Sequence, residues 1–189
     1  MEYDERLGPL RFLVGTWTGE GGTDLAPSDE AATMREPKTS DYREEMLFEE
    51  TGQVDNHEQT LFGLRYRTTA WRIGHDDPFH EEVGYWMWDA ASGMVIRSFM
   101  PPRGMAVLAG GKAGPDDSGF ELEAKVGAEV YGISSTPFLD EEFKTVRYTF
   151  ELRMLDEHRF KYTSHTYLKM KGRDELFDHL DENTMVRKQ

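Results

Sequence analysis

Residues 15–21 read Gly15-Thr16-Trp17-Thr18-Gly19-Glu20-Gly21, and the fold turns on what this stretch becomes. A glycine-rich run can cradle a phosphate, but only where it leads directly into a helix whose N-terminal amides face the anion. Here Gly21 is followed by Gly22, Thr23, Asp24 and a run rich in proline and acid, and Glu20 sets a carboxylate inside the stretch itself. A first β-strand is the better account. Side chains alternate between the faces of a strand, so Gly15, Trp17, Gly19 and Gly21 are expected on one face. A face with one large ring and three missing side chains can bend sharply and leave room for a neighbour.

The rest of the chain has the same character. A short N-terminal helical turn is expected over 4–10, then a first strand over 11–21. Residues 22–41, GGTDLAPSDEAATMREPKTS, have loop composition. Alternating apolar and polar runs predict strands over 42–50, 58–73, 79–89, 94–100, 105–111, 120–126, 143–155, 159–170 and 175–188, with Gly, Pro, Asn and Asp in the turns between them. Residues 128–141 match neither period. The expected fold class is all-β: one domain over 1–189, a single closed up-and-down antiparallel β-barrel of about ten strands with a short N-terminal helix. Closure removes exposed sheet edges, and a barrel of this size can hold one small ligand. It also brings the last strand beside the first, so Arg187 is expected to stack on Trp17. The alternative for Arg187 is a solvated residue near the chain end.

Composition narrows the function. The 189 residues contain no cysteine, which excludes disulfides, thiolate metal sites and thiol catalysis. The net charge of −14 makes nucleic acid and anionic membranes poor partners. No run approaches the roughly 20 apolar residues of a spanning helix. The opening MEYDERLGPLRF is acidic and has no long apolar segment of the kind a signal peptide needs. The expectation is a cytoplasmic protein with a small-molecule ligand in the barrel cavity, no nucleic-acid or membrane partner, and homodimerisation left open.

Gly15-x-Trp17 near the first strand and Arg187 on the last resemble the calycin group, the lipocalins and fatty-acid-binding proteins. The fuller Gly15-x-Trp17-x-Gly19-x-Gly21 is similar to the nitrobindin family, heme-binding β-barrels like the C-terminal domain of the THAP4 protein. LGPLRFLVGTW resembles that family's opening, FHEEVGYW (79–86) its His-x-Glu-x-Gly strand, and the run from Asp178-His179-Leu180 to Arg187 its ending. The resemblance spans nearly the whole chain. It implies ferric heme b held in the barrel mouth by one axial histidine, at the position of His179, with binding of nitric oxide or isomerisation of peroxynitrite to nitrate at the iron.

Each candidate has a plainer account beside it. Neutral imidazole is a normal axial ligand, yet a lone histidine is commonly a packed or surface residue. Arg103, between two prolines and a glycine, can pair with a heme propionate or simply sit in an exposed turn. His165 can line the cavity with the cofactor. His80 can point inward, whereas His57, His75 and His158 fall at turns. Adjacent carboxylates such as Glu44-Glu45 and Glu81-Glu82 point to opposite faces of a strand, which speaks against a paired acid–base site. Two other functions stay open. One is a heme-free binder of small apolar ligands such as fatty acids, although the Arg-x-Tyr pair of intracellular fatty-acid-binding proteins does not occur. The other is a barrel without ligand that works through the acidic 22–41 surface.

Overall fold

In the strand Met94–Met100, Val95, Arg97 and Phe99 are buried, while Met94, Ile96 and Ser98 are more open. That period of two recurs around the molecule and closes it on itself. The computed structural model describes residues 4–188; residues 1–3 of the acidic opening and residue 189 lie outside it. Eleven strands follow a 3₁₀ segment, Glu5–Leu13. They are β1 (Gly15–Pro27), β2 (Pro37–Asn56), β3 (Gln59–Arg72), β4 (Pro78–Asp89), β5 (Met94–Met100), β6 (Met105–Lys112), β7 (Gly119–Val126), β8 (Gly132–Ser135), β9 (Phe143–Asp156), β10 (Arg159–Met170) and β11 (Phe177–Arg187). A one-and-a-half-turn helix α1, Pro137–Glu142, precedes β9. The closed order is β1-β11-β10-β9-β7-β8-β6-β5-β4-β3-β2.

The expected barrel is present, with four local differences. The first strand begins at Gly15 rather than at 11, because Leu7, Leu10 and Leu13 stay in the 3₁₀ segment and pack into one end of the barrel. The expected 22–41 loop contracts to 28–36, since β1 and β2 stay paired as far as Pro27 and Pro37. Residues 51–56, expected as a turn, continue β2 against β3. The ambiguous 128–141 segment supplies β8 and α1. β8 pairs antiparallel with β6 and touches β7 in parallel at two positions, a local exception to the up-and-down pattern.

Trp17 closes the lower end. Its ring is fully buried and meets Phe160 edge-on, 4.8 Å between centroids. Its Nε1–H donates to the Leu13 carbonyl at 2.7 Å, tying the strand to the plug beneath it. Arg187 is the direct cross-strand partner of Trp17, and its guanidinium carbon lies 4.2 Å from the ring centroid. The same guanidinium donates to the Phe12 and Val14 carbonyls. One cation thus joins the first strand, the last strand and the plug.

The glycine face departs from strict alternation. Trp17 pairs with Arg187 and Thr18 with Val186, but Thr23 pairs with Glu182 and Asp24 with Asp181, so β1 carries one extra residue in between. The pairing with β2 places this bulge between Gly19 and Gly22. Gly19 faces inward, where a side chain would strike Asn183 at 2.4 Å, and Gly22 faces inward against the Tyr42 ring at 2.5 Å. Gly21 was expected on the inner face and is instead on the outside with open space around it. The bulge absorbs the extra residue and flips every later side chain of β1. Asp24 therefore enters the barrel, where an unbroken strand would have presented Thr23.

Candidate functional site

The barrel interior divides into a lower core and an upper cavity of about 440 Å³. The cavity walls are apolar near the mouth, with Met34, Phe79, Leu139, Phe143 and Leu168, and polar at the floor. Loop 28–36, the turn at 101–104 and α1 frame the opening.

The floor is two hydrogen-bonded networks. In the first, Arg97 of β5 and Glu82 of β4 form a buried ion pair. Tyr66 of β3 donates to Glu82 Oε1 at 2.6 Å, and Arg97 Nη2 donates to the Tyr66 hydroxyl at 3.0 Å. Arg97 also donates to the Tyr148 hydroxyl. His80 Nε2 lies 3.6 Å from Glu82 Oε2. Burial opposes the charge on Glu82, but Arg97, His80 and Tyr66 outweigh it and hold the carboxyl down at about 2. In the second network Thr68 and Tyr162 donate to the two oxygens of Glu44, each at 2.7 Å, and Asn183 donates at 3.3 Å. Tyr42 and Tyr162 share a hydroxyl contact of 2.7 Å. Burial raises the Glu44 pKa despite these donors and the nearby His80.

The Glu82 value has a consequence for acid stability. The folded pKa of about 2 lies below the ordinary 4.5, so the unfolded chain takes up this proton first as pH falls. The contribution is complete above about pH 4.5 and is lost as pH falls toward 2. It amounts to about 3 kcal/mol. Urea midpoints measured from pH 6 down to pH 2 are expected to fall in wild type, and to fall less steeply over that interval in Glu82→Gln.

At the rim, three donors converge. Asp24 is buried, and one of its carboxylate oxygens is held by Arg72 of β3. Its other oxygen, Oδ1, lies 2.8 Å from His179 Nε2. Asp181 Oδ2 is 3.3 Å from the same nitrogen. Burial raises Asp24, but His179 and Arg72 bring it below the usual carboxylate range. Burial and the nearby Asp24 charge push Asp181 up to about 7, against the pull of His179. Burial disfavours the His179 cation, yet the two aspartates raise its pKa overall.

The predicted residues part company here. His179 stands inside the cavity on β11, and Arg103 stands at the rim in the 101–104 turn. His165, expected to line the cavity, is on the outer face, where its Nδ1 meets Asp178 at 2.9 Å. Its neighbours Ser164 and Thr166 take the inward places by alternation. Gly15, Trp17, Gly19 and Arg187 build the closed end and do not reach the cavity. His57, His75 and His158 are exposed. The sequence reading missed Asp24, Asp181, Glu44, Glu82 and Arg97. Period-two alternation carried a signal for four of them, because Tyr42, Glu44 and Met46 share a face, as do His80, Glu82 and Trp86, Val95, Arg97 and Phe99, and His179, Asp181 and Asn183.

A family model described as the THAP4-like, heme-binding beta-barrel domain matches residues 6–187. The chain belongs to that family. Among solved structures, this family member is similar to Rv2717c from M. tuberculosis, at 21% sequence identity over 100% of both chains with a TM-score of 0.68, a likeness of fold. No curated protein matches.

The family description raises heme, and the donor set here does not suit it. A heme held by one histidine needs a ring nitrogen facing the iron while the other is oriented by an acceptor. His179 Nε2 faces two carboxylate oxygens, Asp24 Oδ1 and Asp181 Oδ2, at 2.8 and 3.3 Å. They occupy the approach an iron would take. A macrocycle pressed onto that nitrogen would cover both carboxyl groups, and Arg72 pairs with Asp24 alone, so Asp181 would be buried without a cation of its own.

Proposed function

We propose that this family member binds a small ligand in the mouth of the barrel without heme. Its apolar body would lie against Phe79, Leu139, Phe143 and Leu168, and its polar end, neutral or cationic, would meet the acidic rim. The observation that carries this is the commitment of the two arginines deeper in the cavity, while Arg103 at the exposed rim has no ion pair among the described residues. Arg97 is paired with Glu82 and Arg72 with Asp24, while Asp181 and Glu44 have no arginine or lysine partner among the described residues. A carboxylate headgroup reaching past the rim would find Arg97 and Arg72 already paired, so fatty acids are the weaker class although an apolar body suits the walls. Arg72 Nη1 is buried without a hydrogen-bond partner and offers a donor to a neutral oxygen. The size of the cavity falls within the range usual for small-molecule sites.

The reading that competes is heme b on His179 with Arg103 at a propionate, binding nitric oxide or isomerising peroxynitrite. It is favoured by the place of His179 in the mouth and opposed by the two aspartates on its nitrogen. One set of titrations separates the two. Neutral N-phenylnaphthylamine is expected to bind one-to-one, and the anionic anilinonaphthalene sulfonate at least about tenfold more weakly, the cost of one like-charge contact. Hemin added to the same protein is expected to give no saturable Soret band that depends on His179. Tighter binding of the anion would overturn the headgroup assignment. A one-to-one Soret band abolished by His179→Ala would overturn the heme-free proposal and justify assays with nitric oxide and peroxynitrite.

A further inference from the structure

We propose that Asp24, His179 and Asp181 form a mononuclear site for a divalent first-row metal ion at the lip of the cavity. This goes beyond the ligand reading and does not depend on it.

Three features of the backbone and side chains lead there. First, Asp24 and Asp181 are direct cross-strand partners on β1 and β11, and both point into the cavity. Like charges set directly opposite repel, and a cation between them converts that repulsion into attraction. Second, His179 precedes Asp181 by two residues on the same face of β11, so strand geometry delivers an imidazole to the same spot. His179 Nε2 and one oxygen from each aspartate all lie within 4.8 Å of one another, with Nε2 at 2.8 and 3.3 Å from the two oxygens. Ligand bonds of about 2.1 Å in a tetrahedral site put donor atoms roughly 3.4 Å apart, so small side-chain rotations suffice. Third, Arg72 occupies the other oxygen of Asp24. It holds that carboxylate in place and leaves Oδ1 facing His179, as an outer partner orients a metal ligand.

The charge balance and the access agree. The two carboxylates and the imidazole share protons among themselves in the metal-free cluster, and a divalent ion would displace those protons as it binds. Asp24 is buried, whereas His179 and Asp181 are about a quarter exposed and border the cavity. An ion can therefore enter from the mouth and keep an open position toward it. The donors are one imidazole nitrogen and two carboxylate oxygens. The imidazole in the set suits zinc or ferrous iron better than the oxygen-seeking magnesium and calcium. The ion would take the place of the hydrogen between Nε2 and Oδ1, on the nitrogen whose carboxylate neighbours turn heme away.

The test uses metal-stripped, full-length protein. Calorimetric titration with zinc chloride is expected to give one-to-one binding, weakened at least about 30-fold in His179→Ala and in Asp181→Asn. The outer-face pair His165 and Asp178 is a matched control, and the double variant H165A/D178N is expected to retain wild-type affinity. Cobalt(II) added to wild type reads the same site without any substitution, through intense visible bands of a four-coordinate ion that excess zinc removes. Absence of saturable zinc binding, equal affinity in Asp181→Asn, loss in the outer-face control, or only the weak spectrum of hydrated cobalt would each overturn the site. Repeating the naphthylamine titration in excess chelator keeps the two proposals apart, since ligand binding that survives there leaves the metal result to stand or fall alone.

Discussion

Arg97→Met is expected to lower stability by about 3–5 kcal/mol, the usual effect of removing one partner of a buried ion pair. The magnitude comes from what remains. Glu82 keeps its charge at neutral pH only because Arg97, His80 and Tyr66 favour it, and burial works against it. Without the guanidinium, the Tyr66 and Tyr148 hydroxyls also lose their contacts with Arg97, and the flat cation no longer sits among the Trp86, Phe99 and Phe150 rings. For a domain of this size the melting temperature should fall by roughly 10 °C. The double variant R97M/E82L removes both charges and should recover most of the loss, because replacing a buried pair by packed apolar groups is often neutral or better. Thermal melts of Arg97→Met, Glu82→Leu and the double variant decide it. A loss below about 1 kcal/mol in Arg97→Met would mean that the pair contributes no more than a surface one.

Trp17→Ala is expected to lower stability by about 3–5 kcal/mol through the cavity left at the closed end. The substitution also leaves the Leu13 carbonyl without its indole donor and removes the ring under Arg187. One lost contact ties β1 to the plug and the other lies at the seam between β1 and β11, so local opening should concentrate at that end of the seam. Hydrogen exchange is expected to speed up at 15–18 and 184–187 before the β3–β4 pairing is affected. Trp17→Phe should restore packing in part while leaving the Leu13 carbonyl unpaired, and should fall between wild type and the alanine variant. Uniform acceleration of exchange around the barrel would contradict a role confined to the seam.

The barrel was legible because its signals are local and repeat. Period-two alternation, turn residues between runs, and the Gly15-Trp17-Gly19 opening each point to strands, and Arg187 two residues from the end of the chain gives the closing strand its partner. The short N-terminal helical segment was legible too, but β8 and α1 were not, since short elements such as Gly132–Ser135 are held by the neighbours they touch rather than by their own pattern.

The site was legible only in part. His179 was found because its segment resembles the end of a known family. Glu82 and Arg97 were passed over although alternation put them inside, because a charged residue on an apolar face suggests no partner until the fold supplies one. Asp24 could not be found by alternation at all. Sequence by itself determined ten of the eleven strands and the closure, which follow from the spacing of residues along one chain. Tertiary structure decided that one surplus residue in β1 would be taken up between Gly19 and Gly22, where Asn183 and Tyr42 fill the space two side chains would need. That one-residue shift turns Asp24 inward opposite Asp181, because a strand has only two faces and a bulge exchanges them.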